Sequence, residues 1–151
     1  MERTVQSVEI STIIHATEDP EKVEVALTTV MPSLFSKLTT RKYLEGHHGN
    51  SITTLNAKLT KSADIRQFTQ HFLEKLPRDE RLRIGRELNL LTDEEGNLFI
   101  RVDKQSAFRG MLTLTEHDDP IRVKIKFSRF SGKTEGLVKG FLEVEEPDKI
   151  R

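Results

Sequence analysis

The chain contains no cysteine, which excludes disulfides, thiolate metal ligands and cysteine nucleophiles together. It also lacks net charge: Lys+Arg and Asp+Glu number 24 each, so the molecule as a whole offers no polyelectrolyte attraction for nucleic acid. No apolar run approaches the roughly 20 residues that a membrane span requires. Met1 to Ile14 has no signal-peptide core, because its apolar positions alternate with Thr, Ser and Glu. The glycines are wrongly spaced for a Walker loop or a dinucleotide fingerprint, and no G-x-S-x-G elbow frames a serine nucleophile. The expectation is a cytoplasmic, non-enzymatic protein with no cofactor, no metal and no membrane partner.

What the chain does have is periodicity. Its 151 residues suit one domain, placed at 1–130, with 131–151 expected as a C-terminal extension, one short strand around Leu137 to Val144 followed by an acidic tail. Charge is unevenly spread. Residues 97–133 hold 8 basic and 4 acidic side chains, whereas acids outnumber bases on both sides. A local basic patch is thereby permitted.

Val8, Ile10 and Thr12 alternate with Glu9 and Ser11, which reads as a first strand. Asp19-Pro20 is a helix start, and Val23, Ala26, Leu27 and Val30 follow at helical spacing until Pro32. Residues 37–45 and 51–60 flank a Gly46–Asn50 turn and read as a hairpin. Ile65, Phe68, Phe72, Leu73 and Leu76 form one apolar stripe after Ser62, taken as the N-cap. A charged helical stretch, Arg78 to Leu88, comes next, with Arg78, Arg81, Arg83 and Arg86 assigned to its exposed face. Strands are expected at Leu98–Val102, around Leu112 and Leu114, and at Ile121–Phe127. The fold class is α+β: a mixed, mainly antiparallel sheet with helices packed on one face. The other sheet face is left open or covered by a partner.

Arg101 to Gly110 is the most unusual segment. Lys104 and Arg109 suit phosphate neutralisation and Gln105 suits a base edge, although Asp103 and Gln105 equally suit bonds that hold a loop. Arg122, Lys124 and Lys126 share one strand face about 6.7 Å apart, a ladder able to track a sugar–phosphate backbone. The same pattern is ordinary for a solvated strand. Phe99 beside Arg101 offers an aromatic platform next to a cation, or packing under a helix or in a dimer. His47-His48 reads as a polar turn rather than a metal site, since zinc needs three or four converging ligands. Asp118-Asp119 before Pro120 likewise reads as a turn.

Three blocks carry a family resemblance: His15–Asp19 with Lys22-Val23, Glu45–Asn50, and Arg101–Gly110. Over residues 5–127 the chain resembles archaeal proteins described as exosome-associated RNA-binding proteins. The resemblance implies the fold of the large-subunit ribosomal protein that binds 5S RNA, and a setting in RNA processing. The expected contacts are Arg101, Lys104, Arg109, Lys124 and Lys126 to phosphate, with Gln105, Asn50 and His48 to base or ribose. RNA and exosome subunits are the expected partners. The alternative class is a protein-interaction adaptor, acting as a homodimer or docking through the sheet face or the Arg78–Leu88 helix. A third is a metal-dependent nuclease or phosphotransferase using Asp103, Asp118, Asp119 or His48.

Overall fold

The computed structural model describes residues 4–46, 50–128 and 133–143. Strand β1, Val5–His15, turns Val8, Ile10, Thr12 and Ile14 inward and Ser7, Glu9, Ser11 and Ile13 outward. The one inward polar residue, Thr12, donates its hydroxyl to the Pro120 carbonyl at 3.1 Å, so no buried donor is orphaned. Helix α1, Pro20–Val30, starts on Asp19, whose carboxylate accepts the Glu21 N–H at 3.0 Å. Such a cap is worth about 1 kcal/mol. Beyond Pro32 a 3₁₀ turn, Ser33–Leu38, buries Phe35 and leads into the hairpin of β2 (Thr39–Glu45) and β3 (Ser51–Leu59).

Helix α2, Ser62–Lys75, sinks Ile65, Phe68, Phe72 and Leu73 against the sheet, with the two phenyl rings stacked at 5.1 Å. Its N-cap is Lys61 rather than Ser62, and no side chain caps it. The charged stretch forms two helices, α3 (Arg78–Arg86) and α4 (Leu88–Leu91). Only part of its arginine face is open. Arg81 reaches inward to the carbonyls of Leu73 (2.7 Å) and Leu142 (3.2 Å), and so supplies donors where helix ends have too few. Asp93 closes the next turn by accepting from Glu95 N, Asn97 N and Asn97 Nδ2. The Asn97 side-chain hydrogen bond, first among several causes, holds its carboxyl below the ordinary value. Strand β4 (Asn97–Val102), helix α5 (Lys104–Phe108), strand β5 (Ile121–Phe127) and helix α6 (Thr134–Glu143) complete the order.

The five strands stand in the order β2-β3-β1-β5-β4, and every pairing is antiparallel. Helices cover one face, over a core that includes Ile10, Leu55, Phe68, Phe72, Ile100, Val123 and Phe127. Three expectations are corrected. Leu112–Leu114 makes a single bridge, Val102↔Leu114, instead of a strand. Residues 103–110 are not an open loop but hold α5. Residues expected to form a strand from Leu137 are helical in α6, because Val138, Phe141 and Leu142 recur at helical spacing and all three are buried. Phe141 sets its ring edge against Phe127 at 5.9 Å. Gly136 and Gly140 within α6 lie where nothing would meet a side chain.

Candidate nucleic-acid interface

Side chains on alternate strand positions face away from the helices, and the pairing registers fix which of them are neighbours. One row across the sheet reads Lys58, Glu9, Lys124, Phe99. The next reads Thr40, Asn56, Ser11, Arg122, Arg101. Lys126 lies beside Ser7, and Lys42 beside Thr54 on the hairpin. Glu9 is the sole carboxylate that the described strand residues place on this face, amid cations from all the other strands. Among the described residues, Lys42, Lys58, Arg122, Lys124 and Lys126 take part in no ion pair.

Two details mark the β5–β4 half. Arg101 and Arg122 are directly opposite one another, a like-charge arrangement that costs a few tenths of a kcal/mol to about 1 kcal/mol on an antiparallel ladder. Arg101 turns its guanidinium to the His117 carbonyl. Phe99 is 41% exposed, and the Lys124 ammonium lies 5.9 Å from its ring centre. Together with Glu9 and Ser11 these side chains line a shallow depression of about 250 Å³.

A second constellation sits at one end of the sheet. The C-terminal end of β1, the β2–β3 turn, the end of β4 with α5, and the start of β5 all meet there. Lys104 is its centre. Its ammonium donates to the Ile13 carbonyl (2.5 Å), to both Glu18 oxygens (3.1 and 3.2 Å) and to Asp119 Oδ2 (2.9 Å). Glu18 also accepts the His15 N–H, and His15 Nε2 is 3.1 Å from Asp119 Oδ1. Burial alone would raise the Asp119 carboxyl; the hydrogen bonds and charges of Lys104 and His15 outweigh it and hold it below the ordinary value of 3.8. Ligand atoms of His15, Glu18 and Asp119 lie within 4.8 Å of one another, and the cation among them is Lys104.

Helix α5 is held from both ends. Asp103 accepts the Ser106 N–H and hydroxyl at its start. At its finish Met111 N–H reaches the Ser106 carbonyl and Gly110 N–H the Ala107 carbonyl, with Gly110 at φ +90°. That is the Schellman arrangement. Buried Thr29 of α1 donates its hydroxyl to Ala107 O at 2.6 Å, which fastens α5 to α1.

The sequence-derived site therefore divides. Arg101, Lys124 and Lys126 converge on the open sheet face. Gln105 on α5 and Arg109 at its C-cap are exposed, beside α1. Lys104, expected at phosphate, is buried and already satisfied by two carboxylates and a carbonyl. Asn50 is exposed beside the hairpin turn, where its carbonyl accepts the Gly46 N–H; His48 lies outside the described residues. Lys42 and Lys58 were not picked out from the sequence. Alternation puts Lys58 on the polar face of β3, but only the strand order brings that face beside Lys124.

A family model described as RNA binding matches residues 7–127. The chain belongs to this RNA-binding family. Among the family's curated relatives, the RNA-binding protein PAB1135 of Pyrococcus abyssi is 36% identical over 140 residues, covering 91% of each chain. The crystal structure of AF2318 from Archaeoglobus fulgidus, described as a DUF54 protein, is similar at a TM-score of 0.75 and 36% identity, covering 89% of this chain and 95% of that one. Mth689, a DUF54 protein from Methanothermobacter thermautotrophicus, gives 0.70 and 33%, covering 91% and 96%. All three relatives are archaeal, and the family is described by binding rather than by a reaction.

Proposed function

We propose that this protein binds RNA without catalysis, through the open face of its sheet. The observation that carries this reading is the one-signed surface made by Lys58, Arg101, Arg122, Lys124 and Lys126 around a single carboxylate, on a molecule with no net charge. Phosphate contacts of this kind supply affinity without reading sequence. Phe99 adds a ring on which a base can stack. Family membership supports the same partner. Exosome subunits, which the resemblance implies, are proposed as the setting in which this surface works. The test is fluorescence anisotropy with a labelled single-stranded RNA at low salt. Arg122→Glu with Lys124→Glu is expected to weaken binding at least tenfold, about 1.4 kcal/mol, and thermal melting of the variant, with Arg122 exposed and Lys124 half-buried, shows that it remains folded. Unchanged affinity would remove the sheet face from the site.

A second reading, the homodimeric adaptor, is favoured by β2. This edge strand is exposed along nearly its whole length, with Tyr43 64% and Leu44 42% open, and an unpaired edge is a template for another strand. Pairing of β2 with β2 of a second copy would join two sheets. Light scattering on RNA-free protein decides it: a dimer that Tyr43→Lys with Leu44→Glu splits supports this reading, and a wild-type monomer ends it.

A further inference from the structure

Opposite the open sheet face, α1 and α5 enclose a cleft of about 290 Å³ lined by Glu18, Asp19, Lys22, Gln105, Phe108 and Arg109 among others. We propose that this cleft is a separate subsite for one unpaired nucleotide of RNA, its base stacked on Phe108 and its phosphate held by Lys22 and Arg109. The inference rests on the RNA-binding reading but uses none of the sheet-face residues.

Phe108 is 42% exposed although it closes a helix whose inner residue, Ala107, is fully buried. The backbone under this ring is held by the caps of α5, so a partner that binds it has no loop to order. Lys22 places its ammonium over that ring, 5.7 Å from its centre, so the cation that packs on the ring stands within reach of the phosphate of a nucleotide in the cleft. The acids of the cleft are already engaged. Glu18 serves Lys104 and the His15 N–H, and Asp19 caps α1. Lys22 and Arg109 have no ion-pair partner among the described residues, and Gln105 offers an amide able to meet a base edge. A cation, an aromatic face and an amide around a small recess match what single-strand recognition requires. A paired base cannot enter, because both its faces are covered by its neighbours. The cleft is thus a selector for unpaired RNA, where the sheet face works mainly through its cations on phosphate.

Stacking on Phe108 releases no counterions, whereas the phosphate contacts of Lys22, Arg109 and the sheet face do, so loss of the ring alone is separable by salt. The experiment measures affinity for a short single strand and for the same sequence in duplex form, over a salt series, using wild type, Phe108→Ala, Phe108→Leu, Phe108→Tyr and the sheet-face variant. Phe108→Ala and Phe108→Leu are expected to weaken single-strand binding roughly 5- to 150-fold, to leave duplex binding unchanged and to preserve the salt slope. Phe108→Tyr keeps the ring and is expected to bind as wild type. Single-strand affinity untouched by Phe108→Ala, while the sheet-face variant weakens it, overturns the cleft alone. A loss shared equally by single strand and duplex also overturns it. Failure of wild type to bind either RNA removes the reading on which it rests.

Discussion

The ammonium of Lys104 is enclosed by Glu18, Asp119 and the Ile13 carbonyl, and this geometry has consequences for acid and for mutation. Lys104→Met leaves two carboxylates facing each other without their cation. Breaking a fully buried pair costs about 3–5 kcal/mol; with Asp119 40% exposed, solvent reduces this to about 2–3 kcal/mol. A urea melt checks the value, and a loss below about 0.5 kcal/mol would show that the cluster contributes nothing. Asp119 is more acidic in the folded protein than unfolded. Its contribution is therefore complete above the ordinary value of 3.8 and is lost as pH falls below that through the lowered native value. Asp119→Asn should flatten stability against pH in that window. The sequence alone gave no hint of this role. A lysine at a strand end reads as a solvent or phosphate cation until the fold brings Glu18 and Asp119, distant along the chain, to its ammonium.

At the scale of elements, helices with strong periods and the alternating strands were readable because burial and period coincide: Phe68 and Phe72 on α2, Val123 and Ile125 on β5. Helix α5 was not, since five residues are too short to show a period. Its signals were instead terminal, Asp103 as cap and Gly110 as stop. Substituting Gly110→Ala tests that stop. A methyl group there meets nothing within 4 Å, so the cost is backbone alone, about 1–2 kcal/mol at a left-handed position. Thermal melting is the measure. No change in melting temperature would mean that α5 does not depend on this turn. In α6, the helical spacing and burial of Val138, Phe141 and Leu142 outweigh the low helix propensity of Gly136 and Gly140. The interface was half legible for a related reason. Alternation identifies the outward residues of each strand, but only pairing order decides that Lys58 and Lys124 flank Glu9.

Over the whole molecule, zero formal charge conceals a polar distribution: the cations of β3, β5 and β4 gather on one side. Association should therefore depend on salt despite neutrality. If about four phosphates are neutralised, log affinity for a single strand falls against log salt with a slope near −2.8, and Arg122→Glu with Lys124→Glu should flatten it toward about half. A slope near zero in wild type would place the affinity elsewhere. The opposed arginines on β4 and β5 carry this one step further. Each repels the other while the surface is bare, relieved in part by the His117 carbonyl that the Arg101 guanidinium holds, and a polyanion laid between them would turn that repulsion into shared attraction. RNA laid on this face would then reinforce the sheet from outside, and heat resistance is expected to climb with added RNA.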